Sequence, residues 1–155
     1  MTKQEIIKGA SVNFVVNAII NGAINWFQLD KSKTHYLTVD SINTTEHTVF
    51  SGAVVLAVSL AFILSSIAYF TVKDPKKPPY FPKVFLLALK HAVFAFGIVA
   101  LTGLLIQRMA GSIEVSSITA AVIAGLIGGI VAGIVDYETK MQLLFRKGLK
   151  VIPGN

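Results

Sequence analysis

The chain has 155 residues, of which 54% are hydrophobic and 14% charged, with a formal net charge of +6. Soluble domains carry charge on about a quarter of their residues, and apolar tracts fill so much of this chain that no soluble domain of ordinary size fits beside them. Nucleic-acid binding is excluded as well, because the basic residues flank apolar spans and neither gather on one helix nor interleave with aromatics. The absence of cysteine removes disulfides, thiolate metal sites and cysteine nucleophiles.

Four apolar runs, at about 6–27, 48–72, 84–107 and 115–135, each match the roughly 20 residues that a helix needs to cross a bilayer core. A lone helix satisfies its own backbone in lipid. No stretch alternates polar and apolar residues with period two, so a barrel is not expected. The first run is longer than a signal peptide's apolar core and lacks a small-x-small cleavage site, so it is expected to be retained. It carries Asn13, Asn17, Asn21 and Asn25. Each carboxamide brings two donors and an acceptor, and a polar group left unpaired in hydrocarbon costs kilocalories. The row must therefore face other helices or water. As interhelical bonds, such side chains contribute about 0.6–2 kcal/mol each. As a lining, they replace part of a solute's hydration shell.

The connection 28–47 follows, with Lys31 and Lys33 set against Asp30, Asp40 and Glu46. Asn43 and Glu46 have the spacing of a helix start, which is preferred to the alternative of a glycosylation acceptor at Asn43. His35, Glu46 and His47 match no standard ligand pattern, so no metal is expected. The second run repeats small residues at Ala53, Ala57, Ala61 and Ser65. Lys73 to Pro79 then forms a stiff, proline-rich hinge.

The third run is bounded by Pro82 and Arg108 and holds Lys90 and His91 about 9 Å beyond its start at 1.5 Å per residue. Ionisable groups inside a span mark function by default, although the lysine stem is long enough to reach the headgroups. Histidine titrates where a proton switch must, so His91, Lys90 and Asp136 are candidate gating or proton-linked residues. Pairings of Lys90 with Asp136, or of His91 with Asn13, are both open. Arg108 and Glu114 at the outer turn read as a local ion pair or headgroup anchor. The fourth run ends at Asp136 and carries Gly125, Gly129 and Gly133, extended by Ala121, beside a second row of Ala120, Ala124, Gly128 and Ala132. Rows of period four drift by roughly 40° per step and suit close right-handed helix crossings. Helix packing through Gly125, Gly129, Gly133, Ala53, Ala57 and Ala61 is expected.

Lysine and arginine concentrate at the N-terminus, after the second run and in the C-terminal tail, which puts both termini in the cytoplasm. Trp26 and Phe27 close the outer end of the first run, and Tyr69, Tyr80 and Tyr137 mark inner ends. The stretch Asn17–Phe27, with Phe85–Lys90 and Val135–Tyr137, resembles small four-span bacterial membrane proteins labelled permeases. That resemblance implies transport, without naming a solute or a site residue.

The expectation is thus an all-α integral membrane protein, a single membrane domain over 1–155 with four transmembrane helices, in a bacterial cytoplasmic (inner) membrane. Its partners are the lipid bilayer, copies of itself and, in the second reading, a larger membrane protein. The first functional reading is a small homo-oligomeric channel or transporter whose Asn13, Asn17, Asn21 and Asn25 line a pathway. The alternative is a structural or accessory subunit. No cofactor is expected, and no pairing of nucleophile with base, metal triad or phosphate loop suggests an enzyme.

Overall fold

The computed structural model describes residues 1–37 and 48–145. The helix start expected at Asn43 and Glu46, the neighbouring His47 and the basic residues Arg146, Lys147 and Lys150 lie outside the described residues. The elements are α1 (Lys3–Gln28), β1 (His35–Tyr36), α2 (Val49–Thr71), α3 (Phe85–Ala110), β2 (Glu114–Val115) and α4 (Ser117–Phe145). All four helices are long and apolar enough to cross a membrane.

Several helix ends have a chemical cause. Thr2 and Glu5 form a reciprocal capping box on α1, and Thr48 and Ser51 do the same on α2, which satisfies donors that the first turn leaves open. At the other end of α2, Lys77 Nζ donates to the carbonyls of Tyr69 and Val72 at 3.1 and 2.8 Å. A cation here also complements the negative end of the helix dipole. Tyr69 donates to the carbonyl of Pro78 at 3.0 Å, so the proline-rich hinge is folded back onto the helix it leaves. A wide turn over Tyr80–Val84, broken by extended backbone at Phe81 (φ −99°, ψ 139°), leads into α3. Gly111, with φ +70°, ends α3 in a conformation that a side chain disfavours.

The fourth helix is longer than its apolar run. It continues through Asp136 to Phe145, and Asp136 and Lys140, one turn apart, neutralise each other along it. An isolated carboxylate would have to leave the bundle at that point.

The helices pack in the spatial order α1–α4–α2–α3. Between α1 and α4 the contact is backbone on backbone. A Cβ on Gly125 would stand 2.6 Å from the Ala18 carbonyl oxygen, and one on Gly129 would stand 2.8 Å from that of Phe14. Only hydrogen fits there. In the second small row of α4, Ala120, Ala124 and Ala132 are buried, while Gly128 meets Asn21 of α1. Ala53, Ala57 and Ala61 of α2 are buried in one cluster with Ala92, Ala95 and Val99 of α3 and Val131 and Val135 of α4. Small side chains bring these helices into van der Waals contact, which is the main source of association energy where lipid is as apolar as the side chains.

Outside the bundle the surface is apolar. Val16, Ile19 and Ile24 of α1 and Val93, Phe96 and Leu101 of α3 are exposed, on the two outermost helices of the packing order. At the outer end, the short strands β1 and β2 pair antiparallel, with His35 opposite Val115 and Tyr36 opposite Glu114, and tie the first connection to the start of α4.

The α1–α4 contact yields a direct prediction. Gly125→Ala should destabilise the protein by roughly 1–3 kcal/mol, as overpacking does. Gly97→Ala, where an added methyl meets nothing within 4 Å, should be neutral or slightly stabilising. Thermal unfolding of both variants in one detergent checks the contrast.

Candidate functional site

The four asparagines of α1 lie on the side that meets α4. Asn17, Asn21 and Asn25 each donate one Nδ2–H to the carbonyl of the asparagine one turn earlier, at 2.9, 2.7 and 2.9 Å. A carbonyl oxygen has two lone pairs, so it accepts this bond as well as its helical one. One donor on each of these amides is therefore satisfied within α1, leaving the amide oxygen and a second N–H to face the neighbourhood. Burial divides the row. Asn21 is only 3% exposed and seats on Gly128, where a Cβ would come within 2.6 Å of its Nδ2. Asn13, Asn17 and Asn25 are half-buried along the edge of the seam.

Below this row lies a cleft of about 510 Å³ at the inner end of the bundle. Asn13 and Lys8 of α1, Ile67 and Thr71 of α2, and Asp136 and Lys140 of α4 line it. The last two form a bidentate ion pair, with Lys140 Nζ at 2.7 and 2.8 Å from the two carboxylate oxygens of Asp136. Their side chains are 9% and 4% exposed. Gly9 of α1 lies against the pair, where a Cβ would stand at ordinary contact distance, 3.5 Å from Lys140 Nζ. Asp136 lies about 28 Å along α4 from Ser117, a length close to the roughly 30 Å thickness of a bilayer core.

Across α4 from this cleft is a second polar group. His91 is buried, and its Nδ1 stands 2.9 Å from Ser65 Oγ and 3.5 Å from Thr139 Oγ1. The Ser65 hydroxyl sits 2.7 Å from the Ala61 carbonyl and donates to it. With that proton committed, Ser65 Oγ accepts from a protonated Nδ1, leaving Nε2 as the lone-pair nitrogen.

These placements decide between the open pairings. Asp136 pairs with Lys140 and not with Lys90, which is exposed. The hydrogen-bond partner of His91 is Ser65, and Asn13 belongs to the opposite cleft. Neither described ion pair includes Arg108. Glu114 instead accepts from Thr34 Oγ1 at 2.8 Å. His35 Nε2 stands near Ser117 Oγ and the Asp30 carbonyl, at 3.1 and 3.0 Å. Just outside α1, the Asp30 carboxyl is held below its usual range by hydrogen bonds from the Ser32 hydroxyl and backbone N–H.

Lys140, outside the apolar runs, is the partner of Asp136 and does not stand among the candidate residues of the sequence. The signal was present in the one-turn spacing from Asp136, a spacing that favours pairing when the acid comes first. Gly9 and Thr139 were missed because only the neighbouring helix gives them meaning. The chain matches no family model, no curated protein and no solved structure.

Removing one charge of the buried pair should cost far more than removing both. Lys140→Met leaves Asp136 unpaired and should destabilise by roughly 3–5 kcal/mol, whereas adding Asp136→Leu to it should recover most of that loss. Chemical unfolding of the three proteins in matched micelles is the measurement. Equal stabilities for the single and double variants would show that the pair is solvated.

Proposed function

We propose that this chain is an integral protein of a cytoplasmic membrane, with both termini on the cytoplasmic side, and that it moves a small polar solute or ion along the asparagine row of α1. Four apolar helices support the membrane reading. The even number of spans and the lysines at one end of the bundle (Lys3, Lys8, Lys73, Lys76, Lys77 and Lys83) support the orientation. For transport, the supporting observation is the continuity between the inner cleft and the row: Asn13 belongs to both.

In this reading the solute enters past Lys8 and the Asp136–Lys140 pair and meets Asn13 first. Neutral amides offer donors and acceptors without fixed charge, as a partly dehydrated solute requires. Asn21, seated on Gly128, closes the row, so passage requires α1 to lift from α4 at that level. α4 packs against both α1 and α2, and glycines of both its small-residue rows (Gly125 and Gly129, and Gly128) receive α1. We therefore place the path inside one subunit and not between first helices of different copies.

The alternative, a structural or accessory subunit, draws on the same seat. Asn21 packed on Gly128 and three amides bonded to their own helix are also what a permanently closed seam would use.

Cysteine accessibility separates the two, since the chain has no native cysteine. In sealed vesicles, Asn13→Cys and Asn17→Cys should react quickly with a charged, water-soluble thiol reagent. Asn21→Cys should react slowly and the packed control Ala57→Cys not at all. If Asn17→Cys is as silent as Ala57→Cys, the asparagines act as packing and the structural-subunit reading takes over.

A further inference from the structure

A groove of about 340 Å³ runs between α3 and α4, on the face of α4 away from the ion-pair cleft. These two helices touch little, because α2 holds each of them separately. Toward the outer end its walls are apolar, formed by Phe94 and Ile98 of α3 and Ile130 and Ile134 of α4. At the inner end the lining changes to Lys90, His91, Glu138 and Gln142. A groove that is apolar along its length and charged at one end suits an amphiphile lying parallel to the helices, with its head toward the cytoplasmic side.

The polar end specifies the head. His91 is 8% exposed, its Nδ1 is taken by Ser65, and its Nε2 lone pair has no partner among the described residues. An unpaired buried acceptor costs free energy until a donor reaches it. Glu138 has one oxygen at 3.4 Å from Gln142 Nε2, which leaves the other for a ligand. Both groups accept hydrogen bonds, and Glu138 also supplies negative charge. Lys90, exposed at the rim, supplies positive charge. The complement is a head that carries an N–H-bearing cation next to an anion.

We propose that this groove binds one phospholipid of the cytoplasmic leaflet with a primary-amine head. Its ammonium sits between Glu138 and His91 Nε2, its phosphate meets Lys90, and one acyl chain lies between α3 and α4. The site rests on the membrane reading above but is independent of transport. It also gives His91 a task that the inner cleft does not.

The test is native mass spectrometry of the full chain in detergent with phosphatidylethanolamine, phosphatidylcholine and phosphatidylglycerol of matched chains. A quaternary ammonium has no N–H for His91, and a glycerol head has no charge for Glu138. The ethanolamine lipid should therefore be retained about tenfold better than either, the worth of one charge-assisted hydrogen bond. Glu138→Gln should erase that preference, and Ile130→Trp, which fills the groove, should lower retention of all three lipids. Equal retention of the three lipids by the unmodified protein overturns the proposal. So does a preference for the glycerol lipid, which would mean phosphate capture by Lys90 alone, or an unchanged preference in Glu138→Gln. A lipid-free dimer would assign the groove to a second copy instead. Release of the protein from membranes by alkaline carbonate would overturn the membrane reading itself, and this site with it.

Discussion

The close approach of α1 to α4 is the contact on which the other features depend. Hydrogen at Gly125 and Gly129 lets the two backbones meet at Ala18 and Phe14, and that approach fixes both the height and the rotation of α1. Rotation brings the asparagine row to the seam, and height sets Asn21 on Gly128 and Gly9 over the Asp136–Lys140 pair. A helix held farther away would leave the ion pair uncovered and the amides facing an apolar surround. One steric fact thus sets Asn13 and Gly9 of α1 against the ion pair of α4, while Thr71 of the same cleft comes from α2.

The second organising principle is the satisfaction of buried polar groups by near neighbours. Asp136 and Lys140 take both contacts from each other. Ser65 passes a hydrogen bond from His91 to a backbone carbonyl, and the asparagines turn one donor back on their own helix. Such solutions are local, within one turn or across one helix contact, so the bundle does not need a polar core. They also leave residual capacity in defined places: amide oxygens along the seam and the outer nitrogen of His91. Residual hydrogen-bonding capacity inside a membrane protein is where solutes and lipids find purchase, and here it falls on opposite faces of α4. That separation puts the proposed path along the α1 seam and the proposed lipid site beside α3 on different sides of one small bundle.

The inner end of the molecule is built more firmly than its length suggests. Lys77 caps α2 and lies 4.3 Å from the centre of the Tyr69 ring. Tyr80 meets the same ring at 5.4 Å and shares a 2.7 Å hydrogen bond with Ser66. A cation over an aromatic face and paired rings each add modest stabilisation. Together they anchor the hinge that positions α3, and hence one wall of the groove beside α4.

Much of the architecture was legible in the sequence. Four apolar runs gave four helices, since helix length in lipid follows from bilayer thickness and apolar length alone. The glycine row of the fourth run announced a close crossing, because period four lays small residues along one ridge. Which helix would fill that ridge was not legible: α1 and α2 both offered a row of period four, and only the folded bundle assigns Gly125 and Gly129 to α1. How far α4 continues beyond its apolar run was not legible, because a carboxylate is costly in lipid and Asp136 is paired with Lys140 one turn further on. The partners of His91 and Lys90 stayed open, as depth along a span constrains height but says nothing of rotation. Sequence by itself determined the apolar spans, their lengths and their small-residue ridges, which are properties of single helices. The tertiary structure decided which ridge meets which, and therefore which polar groups are covered, paired or left with a free valence, because those depend on rotations that no single helix encodes.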